Sequence, residues 1–303
     1  MGNKLVSYCI FCFNQEEYIE DAIIGALSQN YHPLEIIISD DCSIDKTYEI
    51  AEALLNKYSG SHKIVLNRNS TNLGLGGHVS KILYNLSKGD YIITCAGDDI
   101  SKPNHVLEAV KAIEKDTVGN MIDFSGEIID QNGKFVRKIS LDYNTKFNTL
   151  QNYLNLSKIE LFAPGRIVSK KMLSYFEPIT RKCPTEDTVL VLRSLLVGGF
   201  TRMNKNLVSH RKHINNLSSK DGLSKLSNLS IILQYIKDVL CLYETDIIDE
   251  KTTNYILKRI NLEYRLRSLS FDKRKYLIQN YSRPLIKRIL KLKYKLTLTD
   301  KNI

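Results

Sequence analysis

The sequence predicts an α/β protein: an open, mostly parallel sheet of the nucleotide-binding type, mixed towards its end, flanked by helices and followed by a helical C-terminal region. Three observations predict it. Four short runs, apolar on both faces, alternate with stretches of helical periodicity in the first hundred residues, as strands covered on both sides by crossover helices must. A strong hairpin signal follows them. From about residue 219 the chain then turns to long helical patterns rich in Leu, Ile, Tyr, Lys and Arg.

The apolar runs are Leu5 to Phe13, Leu34 to Ser39, Lys63 to Leu66 and Tyr91 to Cys95, and the helical patterns between them cover 15–29, 45–58 and 77–87. That order is βαβαβαβ. In 127–136, β-rich arms surround Asn132-Gly133, the dipeptide that suits a tight hairpin turn, so antiparallel strands join the sheet after its parallel half. Helices are expected over 223–243, 250–268 and 271–295, the last interrupted by Pro284. The domain boundary falls near 218, giving a catalytic α/β domain over 1–218 and a basic helical region over 219–303.

With 43 % hydrophobic and 25 % charged positions in 303 residues, the chain has too much core-forming material for a disordered protein. It contains no apolar run of about 18 residues, and its start lacks a secretory pattern, so a cytoplasmic location is expected. The six cysteines lie mostly alone in apolar runs, as reduced, buried thiols do. Cys9 and Cys12 form a CxxC, but no second ligand pair accompanies them and they lie along a strand rather than opening a helix, which disfavours zinc and redox roles.

The net charge of +10 is unevenly placed. Residues 251–303 hold fifteen Lys/Arg against three Asp/Glu, whereas residues 1–250 hold 28 basic and 30 acidic groups. The basicity therefore belongs to the tail, where it suits a peripheral contact with an anionic membrane surface, a packed face on another subunit, or water. Nucleic acid is disfavoured, because the sheet ends carry acids where a phosphate backbone needs cations.

Ligands of open α/β sheets bind at the carboxyl ends of the strands. After the first run comes Asn14-Gln15-Glu16-Glu17-Tyr18, without the glycines that a dinucleotide turn or a P-loop needs. The second run ends in Asp40-Asp41-Cys42-Ser43-Ile44-Asp45, where Ser43 or Asp45 can cap a helix and leave Asp40 or Asp41 for a base edge or ribose. The fourth ends in Ala96-Gly97-Asp98-Asp99, adjacent carboxylates that a hard divalent ion would stabilise. In Pro184-Thr185-Glu186-Asp187, Thr185 reads as an N-cap with two acids in a helix first turn, either of them a candidate general base. Finally, Ser209 to Ser218 clusters His210, Arg211, Lys212 and His213, suiting an anion or a metal.

Taken in order, these segments resemble a family 2 inverting glycosyltransferase of GT-A fold. Val6-Ser7-Tyr8-Cys9-Ile10-Phe11-Cys12-Phe13-Asn14 resembles the family's first strand and turn, and Glu35 to Thr47 its EIIIVDDGSxDxT segment. Asn72-Leu73-Gly74 resembles its NxG, and Lys88-Gly89-Asp90-Tyr91-Ile92 the entry to its DxD strand. The resemblance covers about residues 4–218. It implies transfer of a sugar from a nucleotide-sugar donor to a glycan or lipid-linked acceptor, in bacterial cell-surface polysaccharide synthesis, with Mn²⁺ or Mg²⁺ as cofactor. By the same resemblance Asp187 is the catalytic base with Glu186 as the alternative. Cys12, Asn14, Asp40, Asp41, Asp98 and Arg211 bind the nucleotide, and Asp99, Asp98 and His213 bind the metal. Two departures stand out: Ala96 replaces the first Asp of the DxD, and Phe11-Cys12 replaces the usual Pro-Thr. The competing readings are a catalytically silent relative that binds nucleotide or a partner, which Ala96 motivates, and a sugar nucleotidyltransferase, which wants a Gly-rich basic turn that this chain lacks. Donor selectivity is expected from residues 120–180, including Arg166, and self-association is compatible with the sequence.

Overall fold

The computed structural model describes residues 3–140, 145–157, 159–214, 216–217 and 226–269. The chain divides into two compact units, one formed by Met1–Leu150 with Ile159–Leu226 and the other by Gln151–Lys158 with Ser227–Ile303.

The first unit is built on a sheet whose order is β3-β2-β1-β4-β9-β6-β10-β5. β1 (Val6–Cys12), β2 (Leu34–Asp40), β3 (Lys63–Arg68) and β4 (Tyr91–Ala96) are its parallel half, and every residue of β2 is buried, as both-face apolarity demands. The crossovers are α1 (Ile19–Leu27), α2 (Thr47–Asn56) and α3 (Gly74–Lys81), the last continued by a π-helical turn over Ile82–Leu86. β9 (Arg166–Ser169) inserts antiparallel between β4 and β6 (Met121–Ile129), and β6 then runs parallel to β10 (Phe200–Arg211). Where β9 leaves β6, β7 (Phe135–Ile139) replaces it, closing the expected hairpin with Gly133 at φ 80° in the turn. Short strands β5 (Ile100–Ser101) and β8 (Thr145–Asn148) pair antiparallel with β10.

One core joins β1, β2 and β4 to α1 and to α4 (His105–Lys115) through Tyr8, Ile10, Ile23, Ile36, Ile93 and Val106, all buried. Burial of apolar surface on this scale contributes about 25 cal/mol per Å² and anchors the strand ends from which the site grows. Cys9 and Cys12 are free thiols inside this sheet, and burial pushes the Cys9 thiol up to about 12, so neither is poised for redox chemistry.

The second unit contains α8 (Asn228–Glu244) and α9 (Glu250–Arg267), capped by Ser227 and Asp249, whose side chains accept from the Ser230 and Thr252 amides. Residues 151–158, which include most of α5 (Leu150–Leu154), belong to it. Tyr153 donates to Glu263 Oε2 at 2.9 Å, and Arg259 lies 4.1 Å over the Tyr153 ring while donating to the Tyr153 carbonyl at 2.8 Å. The helix expected over 271–295 and the boundary residue 218 lie outside the described residues. Among the described residues no helix is long and apolar enough to cross a membrane.

Candidate active site

The ends of β1, β2 and β3 form a braced shelf. Asp40 is a brace of the turn itself: its carboxylate accepts from the Ser43 amide at 2.9 Å and from the Ser43 hydroxyl, with Arg68 Nε 3.6 Å away. Asp41 Oδ1 accepts from Asn69 Nδ2 at 2.8 Å and from the Leu73 amide at 2.9 Å. Asn14 is exposed and crosses to the same turn, its amide donating to Ser43 Oγ at 2.9 Å and its Oδ1 accepting from the Ile44 amide at 3.0 Å. Asn14 and Cys42 both take left-handed backbone conformations, at φ 52° and 64°, a cost of about 1–3 kcal/mol for a residue such as Cys42 that favours them little. Asp45 Oδ1 accepts from the Thr47 amide at 3.0 Å, but the N-cap position of α2 falls to Lys46, with no side-chain cap.

At the end of β4 the two carboxylates part company. Asp98 Oδ2 accepts from His213 Nε2 and from Asn216 Nδ2, each at 2.9 Å. Asp99 turns the other way, its Oδ1 accepting from His210 Nδ1 at 2.8 Å and from the Arg211 amide at 3.1 Å. Burial pushes the Asp99 carboxyl up, His210 opposes that shift, and Asp98 adds to it. Gly97 is required between them and α1, because a Cβ there would stand 2.6 Å from Gln15 Oε1 and 2.8 Å from Cys12 Cβ.

Glu186 and Asp187 stand at the start of α7 (Asp187–Leu196). Arg166 is buried on β9 and chelated by Asp123 of β6, with Nε 2.5 Å from Oδ1 and Nη2 3.0 Å from Oδ2; its Nη1 donates to the Asp187 carbonyl at 2.9 Å and lies 3.7 Å from Asp187 Oδ1. Burial, then the charge of Asp187, pushes the Glu186 carboxyl far up. Its Oε2 is buried without a partner, a far smaller cost for a neutral carboxyl than for an ionised one. The Asp187 side chain is 44 % exposed, yet surrounded by enough protein to be pushed up, against which Arg166, the Glu186 hydrogen bond and His210 act in that order, with Asp123 on the raising side. His210 pairs with Asp99 and meets the ring of Phe162, whose amide donates to Asp123 Oδ2 at 3.4 Å, and Asp123 in turn holds the Arg166 that reaches Asp187, so a chain of contacts links the two acidic centres.

Several expectations change. The Cys12 thiol is turned into the core and donates to the Ser39 carbonyl, so it offers no side-chain contact to a nucleoside. Arg211 is buried too: Nε donates to the Asp98 carbonyl at 3.1 Å, Nη1 to the Gln131 carbonyl at 3.0 Å and Nη2 to Asp21 at 2.7 Å, while the guanidinium lies 5.1 Å over the Tyr18 ring. It braces the Asp98 turn from behind instead of facing a ligand. Arg166, expected to shape donor selectivity, is spent on Asp123 and Asp187. Thr185 is not the cap of α7; that position falls to Glu186, with no side-chain cap. Asp98, rather than Asp99, meets His213. Sequence reasoning missed Asp123, Asn216 and the separate role of His210; the last two sit in the RxHxxNxS stretch and one residue before it, whereas nothing in the sequence marks Asp123 inside an apolar strand.

Among the described residues no three His, Cys, Asp or Glu side chains already converge as metal ligands. Asp98 and His213 nonetheless place a carboxylate oxygen 2.9 Å from an imidazole nitrogen, and His213 Nδ1 is buried without a partner. A carboxylate oxygen with an imidazole nitrogen fits Mn²⁺ better than Mg²⁺, which takes oxygen ligands, and the ion would take the place of the shared proton.

A mixed, mostly parallel α/β sheet flanked by helices, with carboxylates at its strand ends, is the architecture of the GT-A class of fold. The glycosyl transferase family 2 model matches residues 7–175, more than half of the chain, and the chain belongs to that family. An uncharacterized glycosyltransferase of Rickettsia felis is 30 % identical over 234 residues, 74 % of this chain and 36 % of that protein. Another, from Rickettsia bellii, is 33 % identical over 141 residues, 46 % of this chain and 19 % of its own length. The chain thus spans well under half of these relatives. The crystal structure of S. aureus TarS 1-349 in complex with UDP-GlcNAc superposes with a TM-score of 0.63 at 18 % identity, over 92 % of this chain and 76 % of that one. This likeness shows the shared fold.

Proposed function

We propose that the protein is an inverting glycosyltransferase that moves a sugar from a nucleotide-sugar donor to a glycan or lipid-linked acceptor in the assembly of a bacterial cell-surface polysaccharide. The observation that supports the reading is the chain of contacts that runs from Asp99 through His210 and Phe162 to Asp123, Arg166 and Asp187. Family membership and the UDP-GlcNAc complex of TarS support the donor class.

Asn14 and Asp41 hold the nucleoside, with Asp40 fixing the turn that carries Asp41. Asp98 and His213 would hold a divalent cation, which when bound supplies positive charge against the departing diphosphate. Asp187 takes the proton of the acceptor hydroxyl as that oxygen bonds to the anomeric carbon and the bond from that carbon to the diphosphate oxygen breaks; a single displacement inverts the centre. Glu186 keeps its own proton and, by donating to Asp187, holds the base ionised. Arg166, locked by Asp123, fixes the backbone on which the base stands. The basic C-terminal region adds a peripheral contact with the inner face of the membrane, and the protein works in the cytoplasm.

A panel of nucleotide sugars, incubated with the protein and Mn²⁺ and assayed for nucleoside diphosphate release, tests the reading. One donor should be turned over, slowly to water and faster once an acceptor is supplied. Donor binding with no release from any member would favour the silent relative that Ala96 motivates.

A further inference from the structure

His210 pairs with one acidic centre and packs against the ring that leads to the other, and its two ring nitrogens are treated differently. Nδ1 donates to Asp99 at 2.8 Å, and Asp99 is itself held by the Arg211 amide at 3.1 Å, so the tautomer and the ring plane are set. The ring meets Phe162 edge to face at 6.0 Å, which fixes its other side. The opposite nitrogen, Nε2, has no hydrogen-bond partner among the described residues, and it is not sealed away: the side chain is 15 % exposed. A nearly fully buried carboxylate is thus spent on holding an imidazole whose other nitrogen is left for a further partner. Its place in the site narrows what that nitrogen meets. Next to Asp99 in the chain is Asp98, which pairs with His213 where the diphosphate belongs, and the Phe162 amide donates to Asp123 Oδ2 at 3.4 Å, joining the ring to the Asp123, Arg166 and Asp187 group where the acceptor hydroxyl belongs. In a single displacement the group between leaving diphosphate and base is the transferred sugar itself.

We propose that His210 is the donor-sugar contact of this site, its Nε2 hydrogen-bonding the sugar of the bound nucleotide sugar while Asp99 holds the ring in place. The inference rests on the glycosyltransferase reading and adds to it a residue that discriminates nucleotide sugar from free nucleotide.

Two variants separate the ring's two nitrogens. H210N keeps an amide nitrogen near the place of Nδ1 and loses Nε2; H210Q reaches to the place of Nε2 and gives up the Asp99 bond. Titration calorimetry with Mn²⁺ is run on each folded variant, using the nucleotide sugar that the wild-type protein turns over and its nucleoside diphosphate. H210N should bind the nucleoside diphosphate as the wild type does and the nucleotide sugar about tenfold more weakly, the loss of one hydrogen bond. H210Q should recover nucleotide-sugar affinity to within about threefold of wild type. Equal affinity of H210N for both ligands relative to wild type, equal weakening of both, or failure of H210Q to recover any affinity while it still binds the nucleoside diphosphate would each overturn the inference and leave the transferase reading intact. A wild-type protein that binds no nucleotide sugar of the panel would overturn both.

Discussion

The chemistry of the site is set residue by residue through the company each carboxyl keeps. Glu186 and Asp187 are adjacent, yet burial and the charge of Asp187 push the Glu186 carboxyl far up, whereas at Asp187 the Arg166 charge and then Glu186 oppose the rise that burial causes. A general base works only when ionised, and the Asp187 carboxyl is raised above the ordinary aspartate value of about 3.9. Turnover should therefore fall on acidification, along a limb that lies above the usual carboxylate range. Because the hydrogen bond from Glu186 lowers the Asp187 pKa, E186A should move that limb to higher pH. E186Q, whose amide still donates, should leave it close to the wild-type position. A pH profile of kcat/KM for the three proteins checks this; a limb that E186A leaves in place would show that Glu186 does not tune the base. These assignments were partly legible in the sequence: the ED pair, Asp98 and His213 stand out by type and spacing. The separation of Asp98 from Asp99 was not, since it depends on which way each carboxyl turns once β10 lies alongside.

At the scale of elements, strands apolar on both faces and the Asn132-Gly133 hairpin were readable because their signals are local. β9 was not. It is four residues long, and it becomes a strand only because β4 and β6 offer it edges, which no periodicity records. Yet β9 carries Arg166, and so the base depends on it. Inside β6, Gly126 shows how closely the catalytic half is assembled: a Cβ there would stand 2.5 Å from the Val208 carbonyl oxygen and 2.6 Å from Phe162 Cε1. G126A should therefore push β10 and the Phe162 ring away, lowering stability by about 1–3 kcal/mol. Turnover should drop more than stability alone explains, because His210 and Arg211 ride on β10. Chemical denaturation and an assay on the fraction still folded measure the two effects, and a G126A protein as stable and active as wild type would contradict the packing described.

At the scale of the whole molecule, the chain divides into two units, and its charge is divided unevenly along it. The described site lies in the first unit, while fifteen Lys/Arg against three Asp/Glu fall in residues 251–303. Basic residues near an anionic surface contribute about 1 kcal/mol each at most, and salt screens the attraction. The protein should sediment with vesicles containing phosphatidylserine at low salt, release from them as salt rises, and ignore neutral phosphatidylcholine vesicles; equal binding to both would remove the electrostatic contact. A change of pattern near residue 219 is readable in the sequence, but the membership of residues 151–158 in the second unit is not, because Tyr153 meets Arg259 and Glu263 from far along the chain. The central claim is that one site binds a nucleotide sugar and deprotonates an acceptor through Asp187. Side-by-side measurement of donor affinity and transfer rate in D187N tests it most directly: the account predicts wild-type affinity with transfer slowed by about 10² to 10⁴, and a variant that transfers at the wild-type rate would contradict it.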